Sequence, residues 1–248
     1  INSNTFSNFN SKYPIYADLH THSISSGHGS EDTITDMIRC ASESGLSLFG
    51  ISDHGPATSS SAKSSYFQSL KLADRDRFGI RVLYGAELNI INTSGDVDLD
   101  DEILSALDYA IISIHPPIFK PYHDKDLSSA YIRAMDHPKV RFLGHIDDAR
   151  FPVDFEYLLE IAKEKHVYPE INNGSLMPDA YRINGQENCR MILSICKKLD
   201  LPVLLSSDSH GKKNIGNMQY IFPLLEELDF PAHLVLNSDL SVLSEIIR

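Results

Sequence analysis

Seven of the 11 histidines in this 248-residue chain fall at or just beyond the carboxyl ends of short apolar runs. One run ends Asp18-Leu19-His20-Thr21-His22. Residues i and i+2 of an extended strand project from the same face, so His20 and His22 form a metal-ligand pair. His28 follows in the next loop, Asp53-His54 ends a second run, Gly85-Ala86-Glu87 a third, His115 a fourth, Gly144-His145 a fifth and Ser207-Asp208-Ser209-His210 the last. Burying that many imidazoles and carboxylates without a cation would leave unsatisfied or mutually repelling groups. Imidazole and carboxylate donors suit Zn²⁺, Mn²⁺ or Fe²⁺, and the lack of Cys ligands points to a catalytic centre rather than a closed structural one.

The elements that must position these groups are seven strand candidates, at 15–20, 48–52, 81–87, 109–115, 141–145, 167–172 and 203–207. Between and after them lie helix candidates at 33–44, 66–78, 100–107, 127–135, 155–165, 186–199, 218–228 and 240–247. Alternation of this kind builds βα units around a parallel sheet. In a closed (β/α) barrel the carboxyl ends of the strands meet on one rim, where active sites of this architecture lie. The stretch 174–185 is the longest connection without periodicity, so it is a candidate lid or substrate loop. Ser30 and Asp154 are candidate helix starts, and Ser238 and Asp239 are good cap residues for the last helix.

Composition bounds the remaining possibilities. With 42% hydrophobic and 23% charged residues, the chain suits one globular α/β domain over 13–248. Residues 1–12 are Asn- and Ser-rich, open without Met and are expected to be poorly ordered, as a processed end or a piece of a longer chain. The net charge of -12 disfavours nucleic acid, which needs clustered Lys and Arg. It does not exclude a phosphorylated substrate, because bound cations reverse the local field. No apolar run is long enough to span a membrane, and a cytoplasmic location is expected. Cys40, Cys189 and Cys196 lack metal-site spacing and read as reduced core thiols.

The His20/His22 pair, Asp53-His54, Glu87 and the Asp208/His210 ending resemble the motifs of the PHP family, named for polymerase and histidinol phosphatase domains, from Tyr16 to Phe230. Glu170-Ile171-Asn172-Asn173, Glu187-Asn188-Cys189-Arg190 and Ser206-Ser207-Asp208-Ser209-His210 look closest to the small stand-alone YcdX-like phosphatases. The resemblance implies a distorted (β/α)7 TIM-like barrel and a site of three divalent metal ions, zinc first, with manganese or iron as alternatives. It further implies one ion held by His20, His22, Glu87 and Asp208, a second by Glu87, His115 and His145, and a third by His28, His54 and His210. Glu87 then bridges two ions. Asp18 and Asp53 are candidates to orient imidazoles. His123, His137, His166 and His233 match no ligand position, and His137 and His166, near helix ends, are expected at the surface.

The activity these features imply is hydrolysis of a small-molecule phosphate monoester. The metals neutralise the phosphoryl oxygens and activate a hydroxide as nucleophile, so His20, Glu87 and Asp208 act through them. Arg182, in the long loop, and Arg150 are the candidate phosphate clamps. Three alternatives remain at this stage: a phosphodiesterase or 3'-5' exonuclease on the same metals, a histidinol phosphatase, and a non-catalytic metal-binding module. The amidohydrolases, which also open with an HxH strand, fit less well, because Glu87 and the Asp-x-His ending resemble the PHP pattern.

Overall fold

The computed structural model describes residues 10–119 and 125–248. Positions 1–9 of the expected disordered end, and His123, lie outside the described residues. All seven expected strands form: β1 (Ala17–Asp18), β2 (Leu48–Ile51), β3 (Ile80–Asn89), β4 (Tyr109–Ser113), β5 (Val140–Leu143), β6 (Tyr168–Asn172) and β7 (Leu204–Ser206). They pair in parallel in chain order, which gives a nearly closed barrel with helices outside.

Strand alternation sorts the side chains. Leu48, Leu83, Tyr109, Phe142 and Leu204 form an apolar plug inside the barrel, and Leu243 and Ile247 of the last helix (Leu240–Ile247) join the same cluster. A second and larger core, including Met37, Ile38, Leu158, Leu159 and Ile192, packs the helices on the outer face of the sheet. Two steps along β3 from Leu83 is Gly85 and two more is Glu87, so one face of one strand runs from plug to polar rim. Gly50 is required here, because a Cβ would stand 2.2 Å from the Tyr109 hydroxyl that fills the barrel.

The ladder does not run from β7 back to β1. The gap is closed by a side chain: Asn237 Oδ1 accepts from Leu205 N (2.8 Å), and its Nδ2 donates to Leu205 O and Ala17 O (2.8 Å each). Asn237 thus acts as a one-residue strand that satisfies both edges. Nearer the rim, Thr21–His22 pairs in parallel with Ser209–His210.

Two local expectations are corrected. The helix expected over 66–78 ends early, as Ser64–Ser69 followed by a 3-10 turn, Leu70–Leu72. Phe78 and Gly79 both adopt positive φ (49° and 78°) and turn Asp76–Arg77 back as an antiparallel strand on β3, the geometry of a two-residue hairpin. The first helix (Ile34–Glu43) starts at Thr33, not Ser30, because Thr33 and Asp36 form a reciprocal capping box. Asp154 and Asp239 cap their helices as expected. Cys189 and Cys196 are buried thiols, whereas Cys40 is half-buried.

Candidate metal centre

The barrel brings all nine expected ligand residues to one rim. Glu87, at the end of β3, lies at the centre. Its Oε1 lies 2.9 Å from His145 Nε2 and 3.3 Å from His115 Nε2. Its Oε2 lies 2.7 Å from His54 Nδ1, 3.3 Å from His20 Nε2 and 3.5 Å from His22 Nε2. Asp208 Oδ1 approaches His22 Nε2 at 3.2 Å and His20 Nε2 at 3.6 Å. The His210 ring stacks 4.3 Å from His22, and His28 lies 4.9 Å from His54 and 5.2 Å from His210. Gly29 (φ 73°) makes the last approach possible, since a Cβ there would meet His210 Cδ2 at 2.6 Å. His145 and Asp208 themselves adopt positive φ (30° and 52°), a strained state for non-glycine residues that clusters at functional sites.

The hydrogen bonds around the cage fix which imidazole nitrogens are free. His20 Nδ1 faces Glu170 Oε1 at 2.5 Å, so it carries the proton and leaves Nε2 as a lone pair. Ser26 Oγ donates its only proton to Asp53 Oδ1 (2.7 Å), so His22 Nδ1, 3.0 Å away, must be the donor to Ser26. Asn89 Nδ2 donates to Asp98 Oδ2 (2.6 Å), which turns Asn89 Oδ1 toward His115 Nδ1 at 2.7 Å. Three imidazoles therefore direct Nε2 lone pairs at carboxylate oxygens. Acceptor faces acceptor, an arrangement that a cation resolves.

The orphaned atoms agree with that conclusion. His20 Nε2, His22 Nε2, both ring nitrogens of His54 and Glu87 Oε2 are buried and have no hydrogen-bond partner among the described residues. Burial disfavours a charged His20, but Glu170, Glu87 and Asp208 outweigh it and raise its pKa well above the ordinary range, so these carboxylates draw positive charge, whether a proton or a metal ion, to Nε2. Burial together with His54 and His210 pushes His22 well below it. Burial opposes ionisation of Glu87 and Asp208 as well, yet His20 and its neighbours keep both carboxyls well below theirs. The centre thus gathers anionic oxygens around imidazole nitrogens and draws positive charge between them, so the donor set fits divalent ions.

Three triads have ligand atoms within 4.8 Å of one another: His20, His22 and Asp208; His54, Glu87 and His115; and His22, His54 and His210. The first lies inside the first ligand set implied by the resemblance. In the second, His54 stands where that set has His145, although His145 also reaches Glu87. In the third, His22 stands where that set has His28.

Glu170 and Asn172 were not assigned a role from the chain alone, whereas Asp18 and Asp53 were expected to orient imidazoles. Glu170 accepts from His20 Nδ1, His145 N (2.7 Å) and Asn172 Nδ2 (3.1 Å). Asn172 Nδ2 also donates to Asp208 Oδ2 at 3.0 Å. Asp53 orients His22 only through Ser26, and is itself held by Ser23 and Tyr66. Asp18 makes no hydrogen bond to an imidazole among the described residues. It is buried and accepts from Ser207 Oγ (2.5 Å) and Gly216 N (2.8 Å), tying β1 to the segment after β7. His137 and His233 pair with Asp101 and Asp200 away from the site.

The cage forms the floor of a cavity of about 840 Å³, within the range of small-molecule sites. Pro116, Pro117 and Ile118 wall one part, and Met177, Ala180 and Tyr181 of the long loop wall another. Arg182, from the same loop, lines the cavity and donates to Asp208 Oδ2 (2.7 Å) and Ser175 Oγ (3.0 Å). Arg150 also lines it, but is committed to Asp148 through Nε (3.0 Å to each oxygen) and lies 5.2 Å from the Tyr181 ring centroid. No helix among the described residues is long and apolar enough to cross a membrane.

Comparison with known proteins follows the same line. Residues 18–174 match the PHP domain. A Clostridium acetobutylicum protein named as a probable phosphatase is 36% identical over 231 residues, spanning 93% of each chain. A second so named, from Acetivibrio thermocellus, is 34% identical over 231 residues, 93% of this chain and 94% of the other. In three dimensions the chain is similar to histidinol phosphate phosphatase from Lactococcus lactis, solved with zinc, L-histidinol and phosphate. The TM-score is 0.60 at 20% identity, with 87% of this chain and 94% of that one aligned. A chain of archaeal ribonuclease P gives 0.61 at 18% identity, covering 93% and 89%; at such identities the likeness is one of fold. By its profile match and its relatives, the chain belongs to the PHP domain family.

Proposed function

We propose that this protein is a metal-dependent phosphatase that hydrolyses small-molecule phosphate monoesters at a cluster of three divalent ions, zinc first. The observation that carries the reading is the set of buried, partnerless Nε2 atoms aimed at Glu87 and Asp208 on the floor of an open cavity. His20, His22 and Asp208 would hold one ion, Glu87 with His115 and His145 a second, and His28, His54 and His210 a third, with Glu87 shared. Bound there, the ions supply Lewis acidity toward the phosphoryl oxygens and a water of lowered pKa.

The chain's own residues do the rest. Glu170, Ser26 and Asn89 fix the tautomers and aim the ligating nitrogens at the ions. Arg182, the only arginine among the described residues that is buried and also bonded to a cage carboxylate, presents its guanidinium to a phosphate oxygen. Arg150 stands beside Tyr181 on the wall that receives the organic half. The names of the curated relatives support the phosphatase assignment.

The test is turnover by zinc-loaded protein of p-nitrophenyl phosphate, bis-p-nitrophenyl phosphate, histidinol phosphate and a labelled oligonucleotide side by side. The reading expects monoesters to be hydrolysed fastest. Preference for the diester or the oligonucleotide would assign a phosphodiesterase instead, and bound metal without turnover would assign a binding module.

A further inference from the structure

Asp147 follows His145 by two positions and is fully withdrawn from solvent, yet neither carboxylate oxygen has a hydrogen-bond partner among the described residues. Such a group is costly unless a cation offsets it. Burial pushes its carboxyl up, while the charge of Arg182 and the neighbouring Ser175 hydroxyl pull it back down. Asp147 is locked in place: Asn188 Nδ2 donates to its backbone carbonyl at 2.6 Å, and helix Gly185–Leu199 begins so close that a Cβ at Gly185 would meet Ser175 O at 2.6 Å and Asp147 Oδ2 at 3.2 Å.

Arg182 is the complement. Its two terminal nitrogens serve Asp208 and Ser175, and its buried Nε has no partner among the described residues. Ser175 is therefore bonded to the guanidinium and adjacent to the carboxylate. Cations in the cage would compete for Asp208 and repel Arg182 at close range, and Asp147, beside Ser175, is a carboxylate outside the cage toward which the guanidinium is drawn.

Resting on the reading that Arg182 binds the substrate phosphate, we infer that Asp147 is the positioning residue of Arg182, holding it in the cavity when the metal cluster is filled. The residue touches no substrate itself; its effect is on phosphate recognition.

The experiment is calorimetric titration of zinc-loaded protein with inorganic phosphate, with KM and kcat for p-nitrophenyl phosphate and bound zinc measured on the same samples. Asp147→Asn is expected to weaken phosphate binding and raise KM by about tenfold, through loss of the carboxylate's charge attraction for the guanidinium, with zinc content unchanged. In an Arg182→Gln background the same substitution is expected to have no further effect, because a residue that works only through Arg182 shows full coupling to it. If Arg182→Gln alone leaves phosphate affinity intact, the underlying reading of Arg182 fails. If Arg182→Gln weakens binding but Asp147→Asn does not, or if the two effects add, the positioning role alone is overturned. Asp147→Ser, which also removes the buried charge, carries the same comparison should Asp147→Asn not fold.

Discussion

Glu87 Oε1 and His145 Nε2 meet at 2.9 Å although 58 residues separate them in the chain. Glu87 reaches His54 through its other oxygen at 2.7 Å, so one carboxylate spans two sides of the cage. Glu87→Gln is expected to abolish phosphatase activity, beyond the ~100-fold ceiling typical of an outer-partner mutation, and to lower bound zinc measured by plasma mass spectrometry. Full activity with intact metal content would remove Glu87 from the centre.

Glu170 tests the outer ring separately. Its carboxylate holds His20 Nδ1 and the His145 backbone, so Glu170→Gln is expected to cost about 10–100-fold in activity or zinc affinity. Circular dichroism of the variant should stay native. Unchanged affinity and rate would show that His20 needs no orientation.

Removal of metal has a thermal signature. The orphaned His20, His22, His54 and Glu87 atoms are left facing one another without cations, so the chelated protein should melt earlier. At zinc concentrations about 100 times Kd the linkage is roughly 3 kcal/mol, or roughly 5–10 °C for a chain of this size. Scanning calorimetry with and without EDTA measures it, and equal melting temperatures would contradict the cage.

The strands were legible because apolar runs punctuated by helical segments have few other solutions, and the ligands because polar residues at their carboxyl ends share one rim. Other features depend on contacts the chain does not display. Glu170 is an inward residue of β6, but nothing local says that it faces His20, 150 residues away. The pairing of Arg182 with Asp208 joins a loop to a strand end, and the Phe78-Gly79 turn overrode a helical pattern through positive φ at both residues. Barrel closure was illegible for the same reason, since it rests on the Asn237 amide and on the short pairing of Thr21–His22 with Ser209–His210.

Asn237 offers a stability test away from the centre. Truncation to alanine strips partners from Ala17 O and from both backbone groups of Leu205. Asn237→Ala is expected to destabilise the fold by roughly 3–5 kcal/mol, read from urea unfolding. A loss below about 1 kcal/mol would show that the gap between β1 and β7 is closed by other means.

The most direct measurement is an anomalous difference map from crystals of zinc-loaded protein, collected above and below the zinc edge. The account predicts three peaks inside the cage bounded by His20, His54, Glu87, His145 and Asp208. One peak or none there, with zinc bound elsewhere, would contradict it.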